Sequence, residues 1–330
     1  MIAFSEVETL PLVRAVYEEC VKAGGLVEVL FRSDYLDHSL MRHGSRSQIG
    51  WVPEMEAYGM EWANVYFGLR GAHNLHEFAD IPGDVLALHR RAMGEISSLR
   101  WKKTRWCLVR FPNEAFAQQA ETDIETVMNL FFNSTLRDWS SESKRWREIA
   151  AVLNKGADVR LTGRMTDLRF SVKGRKWIVW DGEYNMPDGE ISTAPVENTV
   201  SGHIQFERPA VLAGRLVNDI RLEWQEGRLL TASASNNEGF LRQVISSDDG
   251  SSKIGEFAIG TNYGIDRFCN DILFDEKIGG TVHIALGRAY AECGGTNVSS
   301  IHWDIVKDTR QEGAIYLDGA KVFENGHFTV

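Results

Sequence analysis

Carboxylates and imidazoles brought together from separate segments are what a hydrolytic metal site requires. The C-terminal half of this chain offers such residues in four short stretches. Glu190 follows the turn signal Pro187-Asp188-Gly189 inside NMPDGEISTAPVENTVS, Asn185 to Ser201. Pro fixes φ and Gly tolerates a positive φ, so a tight turn there can present the carboxylate to a cleft. Glu256 lies in GEFAIGTN (Gly255 to Asn262), His283 and Tyr290 in TVHIALGRAY (Thr281 to Tyr290), and His302 with Asp304 in SIHWD (Ser300 to Asp304). Successive strand residues face opposite sides, so His302 and Asp304 face the same side and can bind or flank one ion. His283 has Ala285 and Gly287 on its own face, small neighbours that leave room beside the imidazole. Each residue taken singly reads as a surface group or a satisfied core polar group. Together they leave that plain reading and a metal site both open.

The elements that must position these residues divide the chain in two. Leu10, Val13, Val16, Tyr17, Cys20 and Val21 recur at helical spacing, after a capping-box signature at Ser5 and Glu8 and before the stop at Gly24-Gly25. Leu26 to Phe31 reads as a short buried strand, and a helix feeding a strand suggests an α/β layer. Ala63 to Leu69 and Trp106 to Phe111 read as strands; Asp84 to Ile96, Ile124 to Phe132 and Asp138 to Leu153 read as helices. The polar block from Ser33 to Gly50 gives no clear signal. After Gly156 the pattern turns to strand alternation, at Val159 to Thr162, Leu168 to Val172, Gly202 to Phe206, Arg215 to Trp224 and Arg228 to Ser235. Trp177 to Trp180 is expected to return on Leu168 to Val172 through a turn at Lys173 to Lys176. The expected fold class is α/β: an N-terminal α/β layer domain (residues 1–156), then a mixed, strand-rich α+β metal-binding domain (residues 157–330).

The 330 residues, 43% of them hydrophobic, suffice for two domains with real cores. A net charge of −10 argues against nucleic acid as the main partner. Cys20, Cys107, Cys269 and Cys293 are scattered with no CxxC pair, which suits a reducing compartment. The N-terminus lacks the basic flank and apolar core of a signal peptide, and no apolar run reaches the ~18 residues a membrane span needs. A cytoplasmic protein with no membrane partner is expected.

The stretches above resemble the thermophilic metallo-aminopeptidase family that includes aminopeptidases S and T and PepS. The likeness rests on NMPDGEISTAPVENTVSG (Asn185 to Gly202), IGEFAIGTN (Ile254 to Asn262), ILFDEKIGGTVHIALGRAY (Ile272 to Tyr290) and NVSSIHWD (Asn297 to Asp304), in family order. Weaker likenesses are LTGRMTDLRFSV (Leu161 to Val172), IYLDGAKVFENG (Ile315 to Gly326) and WCLVRFPNEAFAQQA (Trp106 to Ala120). The resemblance implies two divalent ions, zinc or cobalt first and manganese or magnesium as further candidates. It implies Glu190, Glu256, His283, His302 and Asp304 as ligands, and Tyr290 as a catalytic residue. It also implies a short-peptide substrate and a homodimer with an enclosed cavity. In that chemistry a water activated between the ions attacks the peptide carbonyl, with Glu256 as bridging carboxylate and candidate base and Tyr290 as donor to the oxyanion. The chain departs from the family pattern at its N-terminal start, where the layer is shorter or begins upstream, and in the short stretch Ala291 to Ile301.

One alternative uses fewer residues. His283, His302 and Asp304 alone form the two-His-one-carboxylate set of a mononuclear non-haem iron(II) ring-cleaving dioxygenase. Glu190 and Glu256 separate the two readings, since a one-iron site needs neither. His38, His43, His73, His76 and His89 lack ligand spacing and mostly read as surface residues. Trp177, Trp180 and Trp224 read as core. His203 is a candidate for a supporting place behind the ligands. Cys269 and Cys293 flank the site segments without a free His to activate either as a nucleophile.

Overall fold

The computed structural model describes residues 1–99, 104–212 and 214–330. The chain forms two compact units, one of residues 1–131 with 182–186, the other of residues 132–181 with 187–330. The first unit is built on a parallel sheet whose strands lie in the order Val29–Arg32, Ile2–Ser5, Val65–Arg70, Arg105–Arg110 and Asn185–Met186. Parallel neighbours need long crossovers, and the helices Leu10–Lys22, Asp34–His43, Glu54–Trp62 and Gly83–Leu99 lie in the intervening segments. Ile2, Ala3 and Phe4 are all buried, the continuous apolar run of a strand covered on both faces.

Two expectations for this unit change, and one unplaced block finds its place. Ser5 and Glu8 form no capping box, because Ser5 ends the inner strand and its hydroxyl accepts the Gly71 N–H at 2.8 Å. The helix starts at Leu10, after Thr9, with no side-chain cap. The strand expected at Leu26 to Phe31 runs over Val29–Arg32 and is a sheet edge rather than buried: Val29 and Phe31 are exposed, as is Leu26 before it. The unplaced block Ser33 to Gly50 folds as the helices Asp34–His43 and Arg46–Ile49, the second opened by a Ser45–Gln48 capping box.

In the second unit the helix Trp139–Leu153 is capped by the Asp138 carboxylate and sends Trp146, Ile149, Ala150 and Leu153 into the core. Two antiparallel sheets share that core. One has eight strands, from Arg228–Ser233 at one edge to His327–Phe328 at the other. The other has five, in the order His302–Asp308, Thr281–Gly287, Ile254–Gly260, Glu190–Thr193 and Ile178–Trp180. Phe257, Ile259, Val282, Ile284, Leu286, Trp303 and Ile305 of the five-stranded sheet belong to one cluster with Leu161, Leu168, Phe170, Ile204 and Leu222 of the other. Each such side chain stabilises the unit by about 1.5–3 kcal/mol relative to exposure. The architecture is therefore mixed α/β, with the strand-rich C-terminal region that the sequence implies.

Two pairings differ from expectation. Ile178–Trp180 pairs with Glu190–Thr193, not with Leu168 to Val172. The Lys176 N–H donates to the Cys293 carbonyl at 2.9 Å and draws the chain into the other sheet. Arg215 to Trp224 splits into Arg215–Val217 and Arg221–Gln225 around Asp219, whose positive φ of 52° breaks the strand. Among the described residues no helix is long and apolar enough to cross a membrane.

Candidate metal centre

The five-stranded sheet is buried on both faces, and its alternation sorts the two. One face carries the apolar residues just named. The other carries Glu190, Glu256, His283, His302 and Asp304, on four adjacent strands. The register sets their spacing: Glu256 lies opposite Ala285, Ala285 opposite Asp304, His283 opposite Ala258, His302 opposite Gly287 and Glu190 opposite Gly260. Directly opposed residues stand ~4.5–5.5 Å apart at Cβ. Each long polar side chain therefore has Ala or Gly beside it, and this leaves space above the sheet.

Two glycines aim the carboxylates. Gly189 turns the chain into the strand with φ 118°, and a Cβ there would stand 2.9 Å from the Asn262 Cβ. Its N–H donates to Asp188 Oδ1 at 3.0 Å, and Asp188 is itself buried. Gly255 sits at a register shift between Ile254 and Glu256, a bulge of the kind that re-aims a side chain near a site. A Cβ on Gly255 would come within 2.3 Å of the Gly287 carbonyl oxygen.

The ligand atoms fall into two groups, Glu256 with His302 and Asp304, and Glu276 with His283 and Asp304; within each, the atoms lie within 4.8 Å of one another. Asp304 belongs to both, where the sequence reading gave the shared role to Glu256. The cause is position: Asp304 Oδ1 stands 3.3 Å from His302 Nε2 and 3.9 Å from His283 Nε2. His302 Nε2 is also 3.3 Å from Glu256 Oε2, and His283 Nε2 is 3.6 Å from Glu190 Oε2. The Arg288 carbonyl lies 2.8 Å from His302 Nδ1. A carbonyl only accepts, so Nδ1 carries a hydrogen and Nε2 is the nitrogen left to take an ion.

The electrostatics call for cations. Burial pushes the Glu190 carboxyl well above the usual range despite nearby Lys277, and burial raises Glu276 as well. Burial disfavours charge on His302, but Asp304 and Glu256 outweigh it and hold its pKa well above the ordinary imidazole value. His302 in turn pulls Asp304 down against its burial. Carboxylates this close and this dry cannot all ionise without compensating positive charge. Tyr290 lies beside them, its ring 4.9 Å from that of His302 and 5.6 Å from that of Trp180. Burial, with Glu256 and Asp304 next, raises its phenol well above 10, so the hydroxyl stays protonated and can donate.

Glu276 and Lys277 were not singled out from sequence, although both lie in the stretch Ile272 to Tyr290. They follow the short helix Ile272–Asp275, outside the strand alternation that marked the others. Lys277 is wholly buried and donates to Glu190 Oε1 at 2.7 Å and Glu276 Oε1 at 2.6 Å. An isolated Glu-Lys pair in sequence is usually a solvated one, so only tertiary structure reveals it.

Other residues fall elsewhere. His203 lies in the eight-stranded sheet opposite Asp167 and Glu223, not behind the ligands. His89 is buried rather than surface, 3.5 Å from Asp37. Trp177 and Trp224 are core, but Trp180 is only partly buried and donates to the Ser192 hydroxyl at 2.7 Å beside Tyr290. Cys269 and Cys293 are buried free thiols. Burial holds Cys269 well above its ordinary value and, with Glu256, pushes Cys293 up to about 12, so neither is a nucleophile.

The donor set fits divalent ions. Glu190 Oε2 and Asp304 Oδ1 are buried and have no hydrogen-bond partner, and mixed imidazole and carboxylate donors suit zinc and its first-row neighbours. Three carboxylates besides Asp304 converge here, more than the one-iron oxygenase set uses.

The sequence profile of the family described as thermophilic metalloprotease (M29) matches residues 1–328. Aminopeptidase PepS of Streptococcus thermophilus is 24% identical over 98% of this chain and 92% of its own. Aminopeptidase T of Thermus thermophilus is 24% identical over 97% and 91%. The solved structure of wild-type AmpT from Thermus thermophilus superposes with a TM-score of 0.88 at 21% identity, covering 100% of this chain and 94% of that one.

Proposed function

The chain belongs to the thermophilic metalloprotease (M29) family, and from that premise we propose that it is a metal-dependent aminopeptidase that trims short peptides from their free amino end. The observation that carries the reading is the pair of ligand groups that share Asp304: Glu256, His283, His302 and Asp304 come from one sheet face, and Glu276 from the turn beside it. In this reading Glu190, Glu256, Glu276, His283, His302 and Asp304 hold two divalent ions, zinc or cobalt before manganese or magnesium. All of these ligands fall within residues 157–330 and within the second unit, which we take as the catalytic one. Such a pair of ions supplies Lewis acidity at the carbonyl and a water acidic enough to act near neutral pH.

The chain's own residues do the rest. Glu256 is the candidate to take the proton from the attacking water, and Tyr290 donates from a phenol that burial keeps protonated to the developing oxyanion. A substrate's free amine, in its neutral form, would be a further ligand for one of the ions, which favours binding at the free end. The test is hydrolysis of aminoacyl chromogenic amides against N-acetylated versions of the same compounds. The reading requires cleavage of the first and not the second, lost on chelation and regained with zinc or cobalt.

A homodimer and a reducing, cytoplasmic setting belong to the same proposal. The four cysteines are all free thiols, consistent with a reducing compartment. Trp51, Met55, Tyr58 and Trp62, spaced four, three and four apart along and just before the helix Glu54–Trp62, are 58%, 89%, 69% and 46% exposed. Aromatic side chains bury ~150–250 Å² each, so this face is at the upper end of what a monomer shows. Light scattering across a dilution series, on wild type and on Met55→Glu, tests it. A wild-type monomer that keeps full activity at nanomolar concentration removes the partner chain.

A further inference from the structure

Lys277 has no role in the chemistry above, yet its position is tightly defined. Its side chain is 1% exposed. Its ammonium donates to Glu190 Oε1 at 2.7 Å and to Glu276 Oε1 at 2.6 Å, with Asp188 Oδ1 at 3.7 Å. These bonds take one oxygen from each of two carboxylates and leave the other oxygen available. Glu190 Oε2 has no hydrogen-bond partner and stands 3.6 Å from His283 Nε2. Glu276 is at the same time one of the three residues of the second ligand group.

The charges close in the same way. Asp188, Glu190, Glu256, Glu276 and Asp304 bring five buried or half-buried carboxylates to one place. Two divalent ions leave one negative charge uncompensated, with both imidazoles neutral as ligands must be. One buried ammonium removes it. An uncompensated charge in a buried site is costly, so the ammonium and the ions each make the other easier to accommodate.

We propose that Lys277 is a positioning residue and fixed counter-charge of the metal centre, holding Glu190 and Glu276 by one oxygen each so that their other oxygens face the ions, and bringing the site to neutrality when two divalent ions are bound. The proposal rests on the two-ion reading above. It differs from a plain structural ion pair in what it predicts for ion binding.

The test is titration of ion-free protein with cobalt(II), followed by its visible absorption and by metal analysis. Wild type takes up two ions. Lys277→Met keeps the ion of the Glu256 group and weakens the other roughly 10–100-fold, the usual range when a residue supporting a metal ligand is lost. Asp188→Asn combined with Lys277→Met has one carboxylate fewer, is neutral again with two ions, and regains much of the lost affinity. Lys277→Cys alkylated with 2-bromoethylamine restores an ammonium on an arm of lysine length, and with it two-ion binding. A purely structural lysine would lower thermal stability and leave the cobalt spectrum and stoichiometry alone. Lys277→Met binding two ions at wild-type affinity overturns the proposal, as does a double variant no better than the single one. If Lys277→Met does not fold, the double variant and the alkylated Cys decide: two ions in both support the proposal, one in both overturns it. A wild type that binds no divalent ion rejects the reading beneath the proposal rather than the role of Lys277.

Discussion

The first unit's parallel sheet buries Ile2, Ala3 and Phe4 in its inner strand and leaves the carboxylate of Glu6 to the strand's end. There the Asp34 N–H reaches Glu6 Oε1 at 2.8 Å, the Ser33 hydroxyl reaches Oε2 at 3.4 Å, and His73 stands 3.7 Å away. Other polar groups of this unit pair off as well, His38 with Asp80 and His73 with Tyr35. The antiparallel sheet of the second unit instead sets its carboxylates on the face of the sheet, mid-strand or at strand starts, and leaves Glu190 Oε2 and Asp304 Oδ1 without partners. Both sheets bury acid. Among the described residues, only the second leaves the acid's capacity unspent. Burial of a carboxylate therefore does not mark a site; burial with unfilled acceptors on a face lined by Ala and Gly does.

The largest effect expected from this contrast comes from exchanging one carboxylate in each sheet for its amide. Glu256→Gln should abolish hydrolysis of an aminoacyl chromogenic amide and lower ion content with the fold intact, and Glu190→Gln, His302→Ala and Asp304→Asn should follow it. Glu6→Gln should cost about 1–3 kcal/mol of stability through a weakened buried hydrogen-bond set and leave ion content alone. Ion loss in Glu6→Gln, or full activity in Glu256→Gln, would erase the distinction.

Tyr290→Phe comes next. The ring packing against Trp180 and His302 stays, and only the donor goes. kcat should fall by roughly 10²–10³, the cost of one oxyanion donor, with KM and bound metal nearly unchanged. An unchanged kcat would reduce Tyr290 to a packing residue.

A smaller effect separates the two faces of the ligand sheet itself. Ala285→Val adds bulk directly opposite Glu256 and Asp304 and should cost about 1–3 kcal/mol as overpacking, with ion affinity reduced. Its neighbour Ile284→Val, on the apolar face, should cost about 0.5–1.5 kcal/mol and leave the ions in place. Equal ion affinities in the two variants would mean that the space beside the ligands is not part of the design.

The smallest effect is a pH dependence in the first unit. Burial, then Glu6, Asp37 and Glu77, raise the Asp34 carboxyl to about 6. A folded-state pKa above the unfolded value means the folded state holds the proton more tightly. The resulting penalty is absent below about pH 4, grows as pH rises toward 6, and stays constant above that. Asp34→Asn should therefore raise thermal stability at pH 8, by about 1 kcal/mol once solvent screening is allowed for, and change nothing below pH 4. Stabilisation that persists at pH 3.5 would assign the effect to something other than charge.

Much of the ligand sheet was legible in the sequence because its alternation is strict. His302 and Asp304 two apart, and His283 beside Ala285 and Gly287, share a face in strands of seven residues each. Glu276 and Lys277 were not legible, since they sit on a turn with no periodicity and acquire meaning only through contacts to Glu190 and Asp188, distant in sequence. The shared role of Asp304 depends on register across three strands, which no single segment encodes. In the first unit, Ser5 fits a helix cap locally because Ser-x-x-Glu is a local signal, whereas its place at the end of the inner strand Ile2–Ser5 is decided by partners elsewhere in the chain. The pairing of Ile178–Trp180 was missed for the same reason: adjacency in sequence suggested a hairpin, and the core assigned the strand to the other sheet.

The account depends most directly on the number of ions at the face that carries Asp304. Ion-free wild-type protein titrated with zinc or cobalt, with bound metal counted per chain and aminopeptidase activity followed in parallel, gives that number. Two ions per chain, with activity rising as the site fills and one or both ions lost in Asp304→Asn, is the predicted result. A single iron per chain, or full hydrolytic activity in protein stripped of all divalent metal, would contradict it.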